Sequence, residues 1–363
     1  GSFDVVDEDL GQTLTFTPAA GAAPVWAGGS DTNVANLLTP ADLTALTNPA
    51  NLTGFAPSTT TGEVQVINYN FAAPAVNLDG LDNGETLTLN FNVTVSDGTS
   101  SYVQPVTITI NGTDDLPIAV ADTNSVSEDG PILTVAAAGV MINDTVVDVN
   151  DTITVTAVNG NPANVGVPIA IGDGGILTLN ADGSYSFDPN GQYESLDDGE
   201  NLPQTVNYTI TTDDGSTATT TLVITVNGVN DAPTAVNDVE PVAFGEDAGV
   251  TAGSINLLAN DSDVDIEPIT AVAAATSSAA GADVVVNADG TYTYDASSFA
   301  GFQALAAGES TTDTFQYQVT DGDATSTATV TVTITGVNDA PTANDDTGTT
   351  DEETVLNVGP LVG

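Results

Sequence analysis

The residues able to do chemistry in this sequence are almost all carboxylates and amides, and they come in short runs. Asp114-Asp115, Asn230-Asp231 and Asn338-Asp339 form one set, and Glu8-Asp9, Glu128-Asp129, Glu246-Asp247 and Asp351-Glu352 a second. A third set holds Asp148-Val149-Asn150-Asp151 and Asp263-Val264-Asp265, and a fourth Leu81-Asp82-Asn83-Gly84-Glu85 and Leu196-Asp197-Asp198-Gly199-Glu200. Carboxylate, amide and backbone carbonyl oxygens are the donors a hard cation takes, calcium above all.

What is missing narrows the chemistry further. The 363 residues hold 50 acids and no Lys, Arg or His, for a formal net charge of −50, and Cys is absent as well. There is no material for a Ser-His-Asp triad, a thiol nucleophile, a zinc cage or a haem ligand. A Schiff base, a P-loop lysine and a basic groove for nucleic acid are equally excluded. Anionic lipid headgroups would repel the chain, so direct membrane insertion is not expected. Asp346-Thr347-Gly348 resembles an aspartic-protease triplet, but it sits at a repeat linker without a second catalytic Asp in matching context. Carboxylate-pair glycosidases usually carry aromatic sugar platforms, and one Trp is thin material for that. The expectation is no enzyme. With 40% hydrophobic residues and a mean hydropathy of +0.09, the chain can still build packed cores.

Repeats set the organisation. Asn230-Asp231-Ala232-Pro233 returns as Asn338-Asp339-Ala340-Pro341, with a degraded copy at Asp114-Asp115-Leu116-Pro117. Asn180-Ala181-Asp182-Gly183-Ser184-Tyr185 returns as Asn287-Ala288-Asp289-Gly290-Thr291-Tyr292. A third element, apolar-x-x-Leu-x-x-Gly-Glu, ends at Glu85, Glu200 and Glu309. The chain therefore divides into repeats at 1–116, 117–232 and 233–340, with 341–363 as the opening stub of a fourth. The first lacks the Asn-Ala-Asp-Gly element and carries a long insert from Ala19 to Ser58 that includes the sole tryptophan, Trp26.

Each repeat reads as β. Val106-Thr107-Ile108-Thr109-Ile110 and Val330-Thr331-Val332-Thr333-Ile334 alternate apolar and polar residues, so one face packs inward. Asp97-Gly98, Asp214-Gly215 and Asp321-Gly322 supply the turns of the hairpins that these strands close. Seven or so short strands per repeat predict an all-β fold of tandem β-sandwiches. Helical signals are brief: Thr39-Pro40-Ala41-Asp42 caps a turn or two through Leu46, and Phe299 to Ala307 could form another.

These motifs resemble the cadherin-like and VCBS-type repeats of large bacterial surface adhesins. The linker Gly228-Val229-Asn230-Asp231-Ala232-Pro233 looks like the calcium-binding linker at cadherin domain ends, with Gly228 in place of the family's leading Asp. The resemblance implies Ig-like/cadherin-like β-sandwiches in an extended rod, with calcium at each junction. For the second junction the implied ligands are Glu128, Asp129, Asp197 and Glu200 from one repeat, Asn230 and Asp231 from the linker, and Asp263 and Asp265 from the next. Glu8, Asp9, Asp114, Asp115, Asp148, Asn150 and Asp151 take matching places at the first junction, which is weaker by motif. Glu246, Asp247, Glu309, Asn338 and Asp339 do so at the third.

The function so implied is structural: a calcium-stiffened segment of a secreted adhesin or extracellular fibre at the bacterial surface, serving cell adhesion or biofilm. Its partners would be adjacent repeats or neighbouring copies. No apolar run approaches 18 residues and Gly1-Ser2 opens no signal peptide, so the sequence reads as an excised or processed middle piece of something exported. Two alternatives remain open. Thr354-Val355-Leu356-Asn357-Val358 aligns with Pro131-Ile132-Leu133-Thr134-Val135, taken as the first strand of the second repeat. Val355, Leu356 and Val358 could thus be donated to another copy, joining subunits head to tail into a filament. Alternatively, the first repeat's long loops could bind a surface glycan through calcium and Trp26.

Overall fold

The computed structural model describes residues 1–343, 345, 347, 349 and 351–353. Two compact units emerge: Gly1–Tyr193 with Asn201–Asn227, and Glu194–Glu200 with the chain from Gly228 onward. Among the described residues no helix is long and apolar enough to cross a membrane. Val355, Leu356 and Val358 lie outside the described residues.

Each repeat is built on one long hairpin. Thr86–Ser96 pairs with Ser101–Asn111, Asn201–Thr212 with Thr217–Asn227, and Ser310–Thr320 with Thr325–Thr335, all antiparallel. The turns fall on the Asp-Gly pairs. Gly98, Gly215 and Gly322 have φ of 91°, 110° and 125°, a region that a Cβ disfavours. Asp97 Oδ1 accepts the N–H groups of Ser100 and Thr99 at 2.6 Å, and those bonds hold its carboxyl below the usual value. Val, Ile and Leu at alternate positions then face one core per repeat. In the second hairpin Leu222, Ile224 and Val226 are at most 1% exposed, and in the third Val330, Val332 and Ile334 are fully buried.

The second repeat is a sandwich of two four-stranded sheets. One orders Asp122–Ser127, Thr217–Asn227, Asn201–Thr212 and Ile153–Val158; the other Leu133–Val135, Tyr185–Asp188, Gly175–Leu179 and Ile169–Ile171. Its first strand, Asp122–Ser127, lies parallel to the closing strand, with Asp122 opposite Leu222 and Ser127 opposite Asn227. Pro131–Val135 therefore spans the second strand, Leu133–Val135, and not the first as its alignment with the tail assumed. The third repeat repeats the plan, with Asp238-Val239 and Phe244-Gly245 parallel to Thr325–Thr335.

A buried tyrosine ties this first strand down. Tyr208 Oη lies 2.7 Å from Asp122 Oδ2 and 2.9 Å from Val140 O. Tyr317 Oη lies 2.9 Å from both Asp238 Oδ2 and Leu257 O. Burial pushes the phenols far above their ordinary pKa, and the adjacent Asp carboxylates push the same way.

The first repeat departs from this plan. Its N-terminal residues Ser2–Val5 pair antiparallel with Gln65–Asn68, and Thr13–Ala20 and Val25–Ala27 pair with Thr86–Ser96. Among the described residues no strand lies on the outer edge of Ser101–Asn111. Val93, opposite Gln104, occupies the position that Tyr208 holds opposite Thr220 and Tyr317 opposite Ala328, so the hydroxyl tie is absent. The insert forms Val34–Leu37 and the helix Pro40–Leu46, whose Thr39–Asp42 capping box matches the sequence expectation. Phe299 to Ala307 forms no α-helix, only a 3-10 turn at Phe302–Ala304, with another just before it at Ala296–Ser298.

Replacing Tyr208 or Tyr317 with Phe leaves a carboxylate, half-buried at Asp122 and buried at Asp238, short of a donor. Each substitution should lower unfolding stability by about 1–3 kcal/mol, read as a lower urea midpoint; an unchanged midpoint would show that the tie does not hold the first strand.

Candidate metal centre

At the end of the first hairpin the chain turns through Gly112 into Asp114-Asp115. Gly112 fits because a Cβ there would lie 2.0 Å from the Asp82 carbonyl oxygen. The linker then runs under the start of the second repeat, where Asp115 N donates to Asp148 Oδ2 at 2.9 Å. Asp148 is fully buried, and its other oxygen, Oδ1, has no hydrogen-bond partner. Asp151 likewise has a buried, unpartnered Oδ2.

Around them gather more carboxylates. Oxygens of Asp82, Asp114 and Asp214 all lie within 4.8 Å of one another. Asp213 Oδ1 accepts Thr152 N at 2.8 Å, and Asp114 Oδ2 accepts the Ser216 hydroxyl at 2.5 Å. Glu85, 3% exposed, accepts Trp26 Nε1 at 2.9 Å on one oxygen and Asn150 Nδ2 at 2.6 Å on the other. Burial, helped by the charges of Asp82, Asp115 and Asp114, raises the Asp148 carboxyl to about 6. Burial and the charges of Asp214, Asp82, Asp148 and Asp213 raise Asp151 to about 7. Asp82 is raised for the same two reasons. Like charges held this close out of water call for a cation, and this sequence has no cationic side chain to offer.

The donor set is all oxygen, and buried oxygens on Asp148 and Asp151 stand without partners. Those features fit calcium, which takes 6–8 oxygen ligands of mixed type. Asp114 and Asp115 lie within electrostatic reach of Asp148, Asp148 within reach of Asp151, and Asn150 is bound to Glu85 beside them. Glu8 and Asp9 do not join them. They line an open groove of about 470 Å³ with Asp4, Asp7, Asp97 and Tyr102, beside the Asp97-Gly98 turn at the far end of the hairpin from Glu85.

The second unit repeats the linker geometry. Asp231 N donates to Asp265 Oδ2 at 2.7 Å, and Asn230 Nδ2 to Asp321 Oδ2 at 3.4 Å. Asp265 N donates to Asp263 Oδ1 at 3.1 Å, while Asp265 Oδ1 and Asp263 Oδ2 are buried without partners. Asp148 thus corresponds to Asp265, the second Asp of its pair, and Val146 stands where Asp263 does. Asp197 meets Glu267, and the bond between the two carboxyls raises the Glu267 pKa. Glu200 O accepts Gly228 N. Glu246 is fully buried; its Oε1 accepts Val337 N at 2.6 Å and its Oε2 has no partner. Glu309 Oε2 accepts Ala306 N, Asn338 Nδ2 donates to Asp339 O, and Asp247 is exposed. Glu128 and Asp129 belong to the first unit, where Glu128 N donates to Asn227 O at the end of the closing strand.

Three participants escape the sequence reading as ligands: Asp213, which carries no motif, and Asp214 and Asp321, which the Asp-Gly pairs mark as turn formers. The turn of the long hairpin meets the linker in both units, through Asp214 beside Asp114 and Asp321 on Asn230. Trp26 corrects a different expectation. It is 2% exposed, with its indole N–H on Glu85, so its ring offers no platform for a sugar.

The profile of the Bacterial cadherin-like domain family matches residues 114–228 and again 230–336. No curated protein matches in sequence. Among solved structures, mouse cadherin-23 EC22–24 is 14% identical, with 79% of this chain and 83% of that one covered at a TM-score of 0.41. Mouse clustered PcdhgC3 EC1–3 is 14% identical, covering 77% and 84% at 0.38. Drosophila N-cadherin EC1–4 is 12% identical, covering 92% and 69% at 0.26.

The raised carboxyls set a pH dependence. Because folding raises their pKa, the folded protein binds more protons than the unfolded chain between about pH 4 and 7. Calcium-free protein should therefore melt at falling temperatures as pH rises through that window. With calcium the fall should shrink or reverse, since the cation takes the ionised form. Parallel melting series that fall equally would place no cation there.

Proposed function

The chain belongs to the bacterial cadherin-like domain family, and on that premise we propose that it is a structural segment of an extracellular bacterial adhesin or fibre, stiffened by calcium at its repeat junctions. The carrying observation is Asp148: a fully buried carboxylate with one oxygen on the linker and the other unpartnered, among acids of the linker and of both flanking repeats. A cation held there fastens the linker to the repeat that follows. Cadherin-like repeats work outside the cell, where calcium modules bind at roughly 10⁻⁴–10⁻³ M. At a hundredfold excess over Kd each site would add about 2.7 kcal/mol. Nothing in the reading calls for a reaction; adhesion or biofilm contact would come from holding repeats in line.

Scanning calorimetry in calcium, in magnesium and in chelator tests this. Calcium should raise the melting temperature well beyond magnesium. Asp148→Asn should lose most of that gain without lowering the calcium-free value, because Asn keeps an acceptor for Asp115 N and removes a buried charge. An equal calcium response in wild type and variant would overturn the assignment.

A further inference from the structure

The insert of the first repeat carries a loop, Gly28-Gly29-Ser30-Asp31, that closes on a side chain of the second repeat within the same compact unit. Asn150 Oδ1 accepts Asp31 N at 2.6 Å and the Ser30 hydroxyl at 2.9 Å. Asn150 Nδ2 donates to Glu85 Oε1 at 2.6 Å and to Asp31 O at 3.3 Å. Two donors meet the amide oxygen and two acceptors meet the amide nitrogen, so the side chain is matched at every hydrogen-bonding position it has.

The surroundings hold each of those partners in place. Gly29 leaves no room for a side chain, since a Cβ there would lie 1.8 Å from Glu85 Oε1 and 2.2 Å from Asn150 Nδ2. The Asp31 carboxylate ties its own loop by accepting Asn36 Nδ2 at 2.5 Å and Asn33 N at 2.8 Å. Glu85 is held through its other oxygen, Oε2, by Trp26 Nε1 at 2.9 Å and Asp82 N at 3.2 Å. Next to it Val149 N donates to Gly80 O at 3.2 Å. Val149 fills the space that Gly80 leaves, for a Cβ on Gly80 would stand 2.8 Å from Val149 Cγ2.

The second unit shows the alternative. Ile266 and Glu267 follow Asp265 there, in the places of Val149 and Asn150. Ile266 is 81% exposed against 40% for Val149, and Glu267 meets the Asp197 carboxyl instead of an amide-binding loop. A glutamate brought to the first repeat's loop would set carboxylate against carboxylate and leave Glu85 Oε1 without its donor. We propose that the insert loop and residues 80–85 form a recognition socket for an asparagine two residues after the junction aspartate. The partner it fits is a following repeat that carries Asp-x-Asn, and a repeat that carries Asp-x-Glu is refused. The first repeat therefore specifies its neighbour. Because all four bonds are made within the protein, the socket latches this junction without a cation, and it rests on these contacts and not on the calcium reading above.

Hydrogen–deuterium exchange of the full-length chain in chelator tests the latch through the Asp31 and Val149 amides. Wild type should keep both protected. Asn150→Asp keeps the shape but turns an oxygen towards Glu85, and should speed exchange at both amides by about tenfold or more. Asn150→Glu, which imports the third repeat's residue, should do the same. Adding Glu85→Gln to Asn150→Asp restores a donor across the contact and should return protection. Wild-type amides as open in chelator as those of the variants overturn the cation-free latch. Protection that survives both Asn150→Asp and Asn150→Glu overturns the selection by amide, and a double variant no slower than Asn150→Asp overturns the pairing with Glu85. These rates are read without calcium, so they stand apart from the calorimetry that decides the calcium assignment.

Discussion

A carboxylate removed from water must be met by positive charge or hydrogen-bond donors, and everything at the first repeat junction follows from how this chain answers that demand. With no cationic side chain in the sequence, donors have to come from backbone N–H groups, hydroxyls and amides. Asp148 gets one donor, from Asp115, and Glu85 gets three, from Trp26, Asn150 and the Asp82 backbone N–H. Asp148 Oδ1 and Asp151 Oδ2 are left buried without a hydrogen-bond partner. The linker is thus positioned by the charge it helps to neutralise.

Elsewhere the chain solves the same problem with tyrosine. Asp122 and Asp238 are raised chiefly by burial, and the hydroxyls of Tyr208 and Tyr317 compensate them. Glu240 shows the balance tipped the other way: burial opposes its ionisation, but Ser254, Tyr292 and backbone donors together hold its pKa below the ordinary value. Where donors are sufficient the acid is structural; where they fall short, as at Asp148 and Asp151, it is a candidate site. The two uses are distinguished by donor supply and not by residue type.

That distinction explains what could be read from the sequence. Alternating Val and Thr with Asp-Gly turns announced the hairpins and the all-β class, because a period of two and a positive-φ turn are local properties. Asp114, Asp115, Asp148 and Asp151 were legible as a group because repeat spacing aligns them. The role of Asp214 was not, since an Asp-Gly pair makes the same turn whether or not its carboxylate reaches a linker. Nor was the fate of Glu8 and Asp9. They occupy the right place in the sequence, but the preceding residues pair with Gln65–Asn68, a choice made by long-range packing that no local pattern records.

The bond between Trp26 and Glu85 gives the molecule an optical gauge. The only indole in the chain donates its N–H to a carboxylate oxygen at the edge of the acidic cluster. A cation that claimed that oxygen would have to release the indole, altering the polarity its excited state feels. Ultraviolet emission from the unlabelled protein would then follow occupancy at this one junction and remain silent about the others.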